Sequence, residues 1–169
     1  MNRVALLIGG NQGDRRRLIE QATVLIQERI GTVAALSSLY ETAPWGEFET
    51  ENGEQRPENF LNQALLVETT FTAHETLRKA LAIEVELGRV RSNNSHLSPL
   101  TSHLRKYHSR PMDIDLIFFN DEVIDTPDLT IPHPRMHLRR FVLEPLAEIM
   151  PDYRHPLLKK TVKEMLHEV

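Results

Sequence analysis

Two strand-like segments, residues 33–42 and 60–69, follow each other with no helical pattern between them. Consecutive strands that no helix separates usually pair antiparallel. A helical segment flanks the pair on each outer side, and another apolar strand-like segment lies beyond each helix. This order of strand, helix, strand, strand, helix, strand is typical of the ferredoxin-like split βαβ arrangement. We therefore predict an α+β sandwich in which helices pack on one face of a largely antiparallel sheet.

The outer elements of this pattern carry clear local signals. Apolar runs at residues 3–8 and 113–119 predict the first and last strands of the sandwich. Asp14 is the predicted N-cap of the first helix, and Thr72 forms a capping box with Glu75 at the start of the second helix.

An appendage follows the sandwich. We predict a small C-terminal hairpin that pairs residues 123–124 with 129–131. A helical segment over residues 136–150 is expected to be interrupted at Pro145, because proline lacks the backbone N–H that a helix interior needs. Thr161 is the predicted cap of a short last helix.

The composition excludes several classes of function. The chain of 169 residues has a net charge of −4 with neutral histidines, whereas general nucleic-acid binders usually carry a basic surplus. It contains no cysteine, which excludes disulfides, cysteine-ligated zinc and thiol catalysis. Its apolar runs are too short to span a bilayer. We expect one cytoplasmic domain over residues 1–169, a monomer with neither nucleic acid nor a membrane as partner.

Two connections are longer than a compact domain normally needs. Residues 47–59 form an acidic connection, and residues 92–109 form a polar and basic one. Connections longer than roughly 12–15 residues are uncommon and are often functional. These two are either tolerated surface insertions or a pair of lids beside a site.

Asp113 and Asp115 are the strongest local signal of chemistry. Residues two apart on a strand point to the same side, about 6.6 Å apart along the chain. Two carboxylates in this arrangement can hold one or two divalent cations. Taken alone, the pair is explained more simply as exposed carboxylates at the frayed start of a strand.

Arginines stand at both ends of the long basic connection that precedes this pair. Arg110 precedes Asp113 by three residues, and Arg89 and Arg91 follow the second helix. Cations at a helix C-terminus are common on protein surfaces. A dicarboxylate together with several arginines is also how proteins bind a magnesium nucleotide, because the metal and the guanidinium groups take different phosphate oxygens. The combination favours a phosphate site.

Three further features add to this hypothesis. Glu84 stands in the core-facing stripe of the second helix, where a carboxylate needs a partner such as an arginine. Phe60 and Asn62 share one strand face and offer a ring and an amide to a flat heteroaromatic ligand, although core packing alone would explain Phe60. The basic, proline-containing segment 132–141 could meet phosphate, with His133 either a metal ligand or, more commonly, a hydrogen-bonding residue of a turn.

Six motifs, taken in order, resemble those of one enzyme family. They are GGNQGD at 9–14, YETAPWG at 40–46, FLN at 60–62, GRVR at 88–91, RPMDIDL at 110–116, and IPHP with RRF over 131–141. In these motifs, which span nearly the whole chain, the sequence is similar to the hydroxymethyl-dihydropterin pyrophosphokinases of folate biosynthesis. The resemblance implies transfer of pyrophosphate from ATP to the hydroxymethyl group of 6-hydroxymethyl-7,8-dihydropterin, with release of AMP.

The resemblance also implies a role for each matching residue, with ATP and the pterin as the small-molecule partners. Two magnesium ions would bind Asp113 and Asp115, which would be catalytic together with Arg89 and Arg110. The nucleotide would contact Glu84, Arg91, Arg110, Ile114, Thr130, His133 and Arg139. The pterin would lie between Phe60 and Phe141, with its polar edge against Thr42, Pro44, Trp45 and Asn62.

Two other functions are compatible with the same residues. A metal-dependent phosphodiesterase would use the same Asp113 and Asp115 pair, and a non-catalytic ferredoxin-like domain would bind its ligand without needing that pair. Release of AMP together with a pyrophosphorylated pterin would exclude the phosphodiesterase. A requirement for the two aspartates would exclude the binding domain.

Overall fold

The computed structural model of the protein describes residues 1–43, 59–88 and 111–169. Its central part follows the predicted order of elements. The elements are β1 (Asn2–Gly10), α1 (Arg15–Arg29), β2 (Thr32–Leu36), β3 (Tyr40–Thr42), β4 (Phe60–Thr69), α2 (Ala73–Glu86) and β5 (Asp113–Phe119). The C-terminal part adds β6 (Ile124–Asp125), β7 (Thr130–Ile131), a 3₁₀ turn (Met136–Leu138), α3 (Arg140–Ile149) and α4 (Val162–Glu168).

The main sheet has the strand order β2-β4-β1-β5, and β3 also pairs with β4. Every pairing in it is antiparallel. With α1 and α2 as the two connecting helices, this order confirms the predicted ferredoxin-like arrangement. The predicted C-terminal hairpin is confirmed as well, because β6 pairs with β7.

Helices cover both faces of the sheet. On one face, Val4, Leu6 and Ile8 of β1 pack in one core cluster with residues of α1 and α2. On the other face, Ala5 and Leu7 pack in a second cluster with residues of α3 and α4. We predicted that helices pack on one face of the sheet only. This is correct for α1 and α2, which share a face, but α3 and α4 of the C-terminal appendage cover the other face. A central strand buried on both sides also explains why the β1 sequence is a continuous apolar run.

The predicted strand over residues 33–42 is wrong as a single element, because it divides into β2 and β3. Between them, the Ser37 N–H donates to the Ala64 carbonyl and the Ser37 hydroxyl accepts the Ala64 N–H, both at 2.9 Å. The serine side chain thus replaces a backbone acceptor of the ladder. The pairing with β4 slips by one residue here, from Leu36 opposite Leu65 to Tyr40 opposite Asn62.

The predicted interruption at Pro145 is also wrong. Pro145 lies inside α3, and the break falls at Arg139, whose extended backbone separates the 3₁₀ turn from the helix. Proline costs this helix one backbone hydrogen bond. Burial of Val142, Leu143 and Leu146 against the sheet offsets that cost.

The predicted helix caps are confirmed. The Asp14 carboxylate accepts the Arg17 N–H at 3.2 Å, and capping boxes form at Thr72 with Glu75 and at Thr161 with Glu164. Each cap satisfies backbone donors that a helix N-terminus leaves unpaired. Among the helices of the described ranges, none combines the length and the apolar character needed to cross a membrane.

Candidate active site

Polar side chains meet on one face of the sheet, at one end of three adjacent strands, β4, β1 and β5. Gly9 of β1 lies opposite Asn62 of β4 on one side and opposite Asp113 of β5 on the other. Leu7, one step further along the same face, lies opposite Ala64 and Asp115. Because neighbouring strands are about 4.8 Å apart, Asn62 and Asp113 lie about 10 Å from each other across Gly9.

The β4 side of this face carries Thr42, Phe60 and Asn62, which we call the amide wall. Asn62 is 6% exposed, and its Nδ2 donates to the Thr42 hydroxyl at 3.0 Å. Thr42 lies opposite Phe60 in the pairing of β3 with β4. The hydrogen bond fixes which way the Asn62 amide points, so the wall presents an oriented polar group beside an aromatic ring.

Close packing under Asn62 requires glycine at position 9. A Cβ atom added to Gly9 would lie 2.5 Å from Asn62 Oδ1 and 2.3 Å from the Leu61 carbonyl oxygen. Both distances are far below van der Waals contact. Gly9 therefore allows the amide of Asn62 to lie flat over β1.

The β5 side carries Asp113 and Asp115, which we call the carboxylate pair. Ile114 and Leu116, which alternate with them along β5, belong to the cluster under α1 and α2. The two aspartates therefore point to the opposite face, the one that also carries Asn62. Both are partly buried. Two oxygen-donor groups side by side are suited to a hard divalent cation.

Glu84 anchors the strand that carries the carboxylate pair. It is 2% exposed, and its Oε2 accepts the backbone N–H of Ile114 at 2.7 Å. Ile114 stands between the two aspartates, so this bond ties the middle of the pair to α2. The prediction that a carboxylate in this stripe needs a partner is confirmed, with the Ile114 N–H as a described partner. The expected ion pair with an arginine stays a prediction, and so does the predicted contact of Glu84 with a nucleotide.

His133 lies beside β5 on the segment that follows β7. Its backbone N–H donates to the Ile117 carbonyl at 3.0 Å. The pKa of His133 is lowered to about 4, chiefly by burial and next by the nearby charge of Arg139, with a smaller contribution from Arg135, whereas the charge of Asp113 raises it. The ring is therefore neutral near pH 7. Its Nδ1 accepts the Arg135 N–H at 3.4 Å, which leaves the proton on Nε2 as a hydrogen-bond donor.

Phe141 and Arg139 lie where α3 begins, and Thr130 lies on β7. The Arg139 guanidinium is 5.7 Å from the centre of the Phe141 ring. Phe141 packs against the cluster on the same sheet face as Asn62. Thr130 is exposed. The helix itself is tied to β3 because the Tyr40 hydroxyl donates to Glu148 at 2.9 Å.

Several predicted site residues lie outside the described residues. They are Pro44, Trp45, Arg89, Arg91 and Arg110. The two long connections predicted as lids, 47–59 and 92–109, lie outside them too, apart from Asn59. Among the described residues, Thr42, Phe60, Asn62, Asp113, Asp115 and Phe141 share one face of the sheet.

Sequence reasoning does not single out Gly9 or Arg135 as site residues. The signal for Gly9 is weak, since a glycine pair after an apolar run also fits a simple turn. Its role depends on the pairing with Asn62, which is more than fifty residues away. Arg135 belongs to the basic segment 132–141, but its effect on His133 depends on the turn that brings them together.

Curated relatives match nearly the whole chain. The 2-amino-4-hydroxy-6-hydroxymethyldihydropteridine pyrophosphokinase of Porphyromonas gingivalis is 36% identical over 154 residues, which cover 90% of this chain and 93% of the relative. The enzyme of the same name from Bacillus subtilis is 38% identical over 88% of this chain and 79% of its own length. That of Aquifex aeolicus is 34% identical over 99% of this chain and 92% of its own.

Solved structures share the fold. The crystal structure of Plasmodium falciparum HPPK-DHPS with SDX-DHP superposes with a TM-score of 0.69 at 18% identity. The match covers 99% of this chain and 43% of that one, so this chain spans less than half of the Plasmodium protein. At this identity the comparison supports the ferredoxin-like fold alone.

The family model named 7,8-dihydro-6-hydroxymethylpterin-pyrophosphokinase (HPPK) matches residues 5–151. That range runs from β1 through α3 and includes both the amide wall and the carboxylate pair. With most of its length matched by the family model and by relatives above 30% identity, the chain belongs to the HPPK family.

Proposed function

We propose that the chain transfers pyrophosphate from ATP to the hydroxymethyl group of 6-hydroxymethyl-7,8-dihydropterin, at a site between the amide wall and the carboxylate pair. As a member of the HPPK family the chain is an enzyme, a pyrophosphokinase. One observation carries the location of the site: Asn62, Gly9 and Asp113 lie side by side on three adjacent strands. An acceptor held at one end of this row reaches a phosphate held at the other.

The amide wall binds the pterin. A pterin is a flat ring with adjacent hydrogen-bond donors and acceptors at its edge, which matches a ring beside an oriented amide. Asn62 and Thr42 are the polar contacts, and Phe60 is one aromatic face. Phe141, at the start of α3, supplies the other. Pro44 and Trp45, which follow Thr42 in the sequence, complete the polar edge as the family resemblance implies.

The carboxylate pair fits Mg²⁺. Its donor set, two aspartate carboxylates on alternate positions of one strand, is the oxygen-only chemistry that magnesium prefers. When bound, two magnesium ions supply positive charge that offsets the charge developing on the phosphate oxygens. Asp113 and Asp115 would hold them, and Glu84 keeps the strand in place through the Ile114 N–H.

Cationic and hydrogen-bonding groups beside β5 hold the nucleotide. Arg139 and the neutral His133, a donor at Nε2, face the phosphates, and Thr130 contacts the nucleoside. The Ile114 side chain is buried on the opposite face of the sheet, so Ile114 contacts the nucleoside through its backbone only. Arg89, Arg91 and Arg110 add guanidinium groups, as their match to the family motifs implies. Arginine suits this role because its planar fork matches two phosphate oxygens at once.

The reaction needs positioning more than covalent help from the protein. The hydroxymethyl oxygen of the pterin attacks the β-phosphorus of ATP, and the bond from that phosphorus to the α,β-bridging oxygen breaks. AMP leaves with the bridging oxygen, and the hydroxyl proton is released as the new oxygen–phosphorus bond forms. The amide wall orients the hydroxymethyl group, and the carboxylate pair holds the phosphates in line with it.

An assay of AMP release tests this function. Purified protein is incubated with ATP, Mg²⁺ and the hydroxymethyl-dihydropterin, and AMP is followed by chromatography. The proposal requires AMP, together with a pyrophosphorylated pterin, only when both the pterin and Mg²⁺ are present. AMP without pterin would instead support the phosphodiesterase. Quenching of Trp45 fluorescence by the pterin without AMP would support a non-catalytic binding domain.

A further inference from the structure

Arg15 joins the two strands of the amide wall. It is the first residue of α1, and its Nη1 donates to the Glu41 carboxylate at 3.1 Å and to the Asn59 carbonyl at 2.8 Å. The Arg15 side chain is 27% exposed and that of Glu41 is 53% exposed. One guanidinium group therefore bridges α1, the middle residue of β3 and the residue that precedes β4.

Both contacts fall next to residues of the amide wall. Glu41 directly precedes Thr42, and Asn59 directly precedes Phe60. Thr42 and Phe60 are opposite each other in the ladder between β3 and β4. Arg15 thus fixes the separation of the two strand ends where the polar contact and the aromatic ring lie.

We propose that Arg15 is a positioning residue for the pterin: it holds Thr42 and Phe60 at the spacing the ring requires, without itself touching the substrate. This inference rests on the proposed pterin site. It assigns to Arg15 a role in binding one of the two substrates, so that its loss weakens pterin binding and leaves ATP binding unchanged.

Stability alone does not account for arginine at this position. Partly exposed ion pairs contribute little to folding stability. The first turn of a helix also disfavours cations, because the helix dipole is positive there. Arg15 is followed by Arg16 and Arg17, and α1 has no acidic residue in its first turn. The contribution of the Arg15 side chain is therefore its contacts with Glu41 and Asn59, which link α1 to β3 and to the residue before β4.

The test compares Arg15→Gln with Arg16→Gln. Arg16 is the next residue on the same helical turn and is exposed, so it is a matched control for the loss of one positive charge. In steady-state assays we expect Arg15→Gln to raise the KM for the pterin about tenfold, because small displacements of positioning groups have effects of this size or larger. The KM for ATP should stay within about twofold of the unaltered enzyme in both variants.

Two milder variants keep the test independent of folding. Arg15→Lys retains the charge but loses the fork, so its KM for the pterin should fall between those of the unaltered enzyme and Arg15→Gln. Glu41→Gln removes the charge on the partner and should raise the same KM by a smaller factor. An unchanged pterin KM in Arg15→Gln, or an equal rise in both KM values, would overturn the role.

Asn62→Ala separates failure of this inference from failure of the proposed site. If Asn62→Ala raises the pterin KM and Arg15→Gln does not, the site stands and the positioning role is wrong. If neither variant changes the pterin KM, the amide wall does not bind the pterin and both proposals fall. A rise in both variants supports both.

Discussion

The two faces of the sheet are built from the same strands and differ in what their residues do. On the face covered by α1 and α2, apolar side chains continue to the ends of the strands, as at Ile8 of β1 and Ile114 of β5. On the face covered by α3 and α4, the apolar contacts stop at Leu7 and Ala64. The next positions along that face are Gly9 and Asn62.

This difference lets one strand contribute both to the core and to the candidate site. In β5, alternation sends Ile114 to the core and its two neighbours, Asp113 and Asp115, to the opposite face. A shift of the strand by one residue would exchange the two sets. The register of β5 is therefore as important for the site as the identity of the aspartates, and the Glu84 anchor acts on that register.

Removing one carboxylate of the carboxylate pair should have the strongest effect on activity. Asp115→Asn should lower kcat by about 10³-fold or more, because the proposed magnesium site would lose a negatively charged ligand. The fold should remain, since the substitution keeps the size of the side chain. Circular dichroism checks the fold, and Asp125→Asn, an exposed aspartate of the β6–β7 hairpin, is the matched control. Full activity of Asp115→Asn would rule out its assignment to the metal.

The next test concerns Gly9, which lies between Asn62 of the amide wall and Asp113 of the carboxylate pair. Gly9→Ala places a Cβ atom 2.3 Å from the Leu61 carbonyl oxygen and 2.5 Å from Asn62 Oδ1. We expect a loss of about 3 kcal/mol in the free energy of unfolding, as for overpacking of a rigid core. Urea denaturation measures it. A stability equal to that of the unaltered protein would mean that Asn62 does not lie over Gly9.

Variants of Glu84 test whether α2, which covers one face of the sheet, supports the carboxylate pair on the other face. Glu84→Leu leaves the Ile114 N–H without this acceptor and should cost about 2 kcal/mol of unfolding free energy. It should also raise the Mg²⁺ concentration needed for half-maximal activity, whereas Glu84→Gln, which retains an acceptor oxygen, should change both less. The control is Glu86→Gln, on an exposed residue of the same helix that pairs with Arg29. Equal effects of the Glu84 and Glu86 variants would mean that Glu84 does not anchor β5.

An effect that appears only at low pH concerns His133. Its pKa is about 4 in the folded protein against a usual 6.5, so the unfolded chain binds more protons between these values. Stability is then complete above about pH 6.5 and falls as the pH is lowered toward 4. From pH 7 to pH 5 the unaltered protein should lose about 2 kcal/mol more than His133→Asn. Urea denaturation at the two pH values measures this, and parallel losses in both proteins would mean that His133 is not buried as described.

The elements that local sequence determines were predictable. The bounds of β4 and β5 and the capping boxes at Thr72 and Thr161 follow from patterns within a few residues. The order of elements then indicated the ferredoxin-like arrangement. The division of β2 from β3 was not predictable, because Ser37 makes its decisive hydrogen bonds to Ala64, 27 positions away.

The candidate site also has features that the local sequence predicts and features that it does not. The carboxylate pair is a local motif on one strand, so its shared face follows from alternation alone. The bond of Asn62 to Thr42 and the close approach of Asn62 to Gly9 join different strands, and no spacing in the sequence encodes them. The anomaly at Glu84 indicated a buried carboxylate. Its partner, a backbone N–H of Ile114, carries no sequence signal.

The amide wall and the carboxylate pair are proposed to form one site. Mn²⁺, which can replace Mg²⁺ and broadens nearby NMR signals, tests this directly in the complex with a non-hydrolysable α,β-methylene analogue of ATP. If the claim is right, Mn²⁺ broadens the side-chain amide signal of Asn62, which lies about 10 Å from the pair, and Asp115→Asn weakens that effect. A sharp Asn62 signal with Mn²⁺ bound, or broadening that Asp115→Asn leaves unchanged, would mean that the amide wall and the carboxylate pair do not form one site.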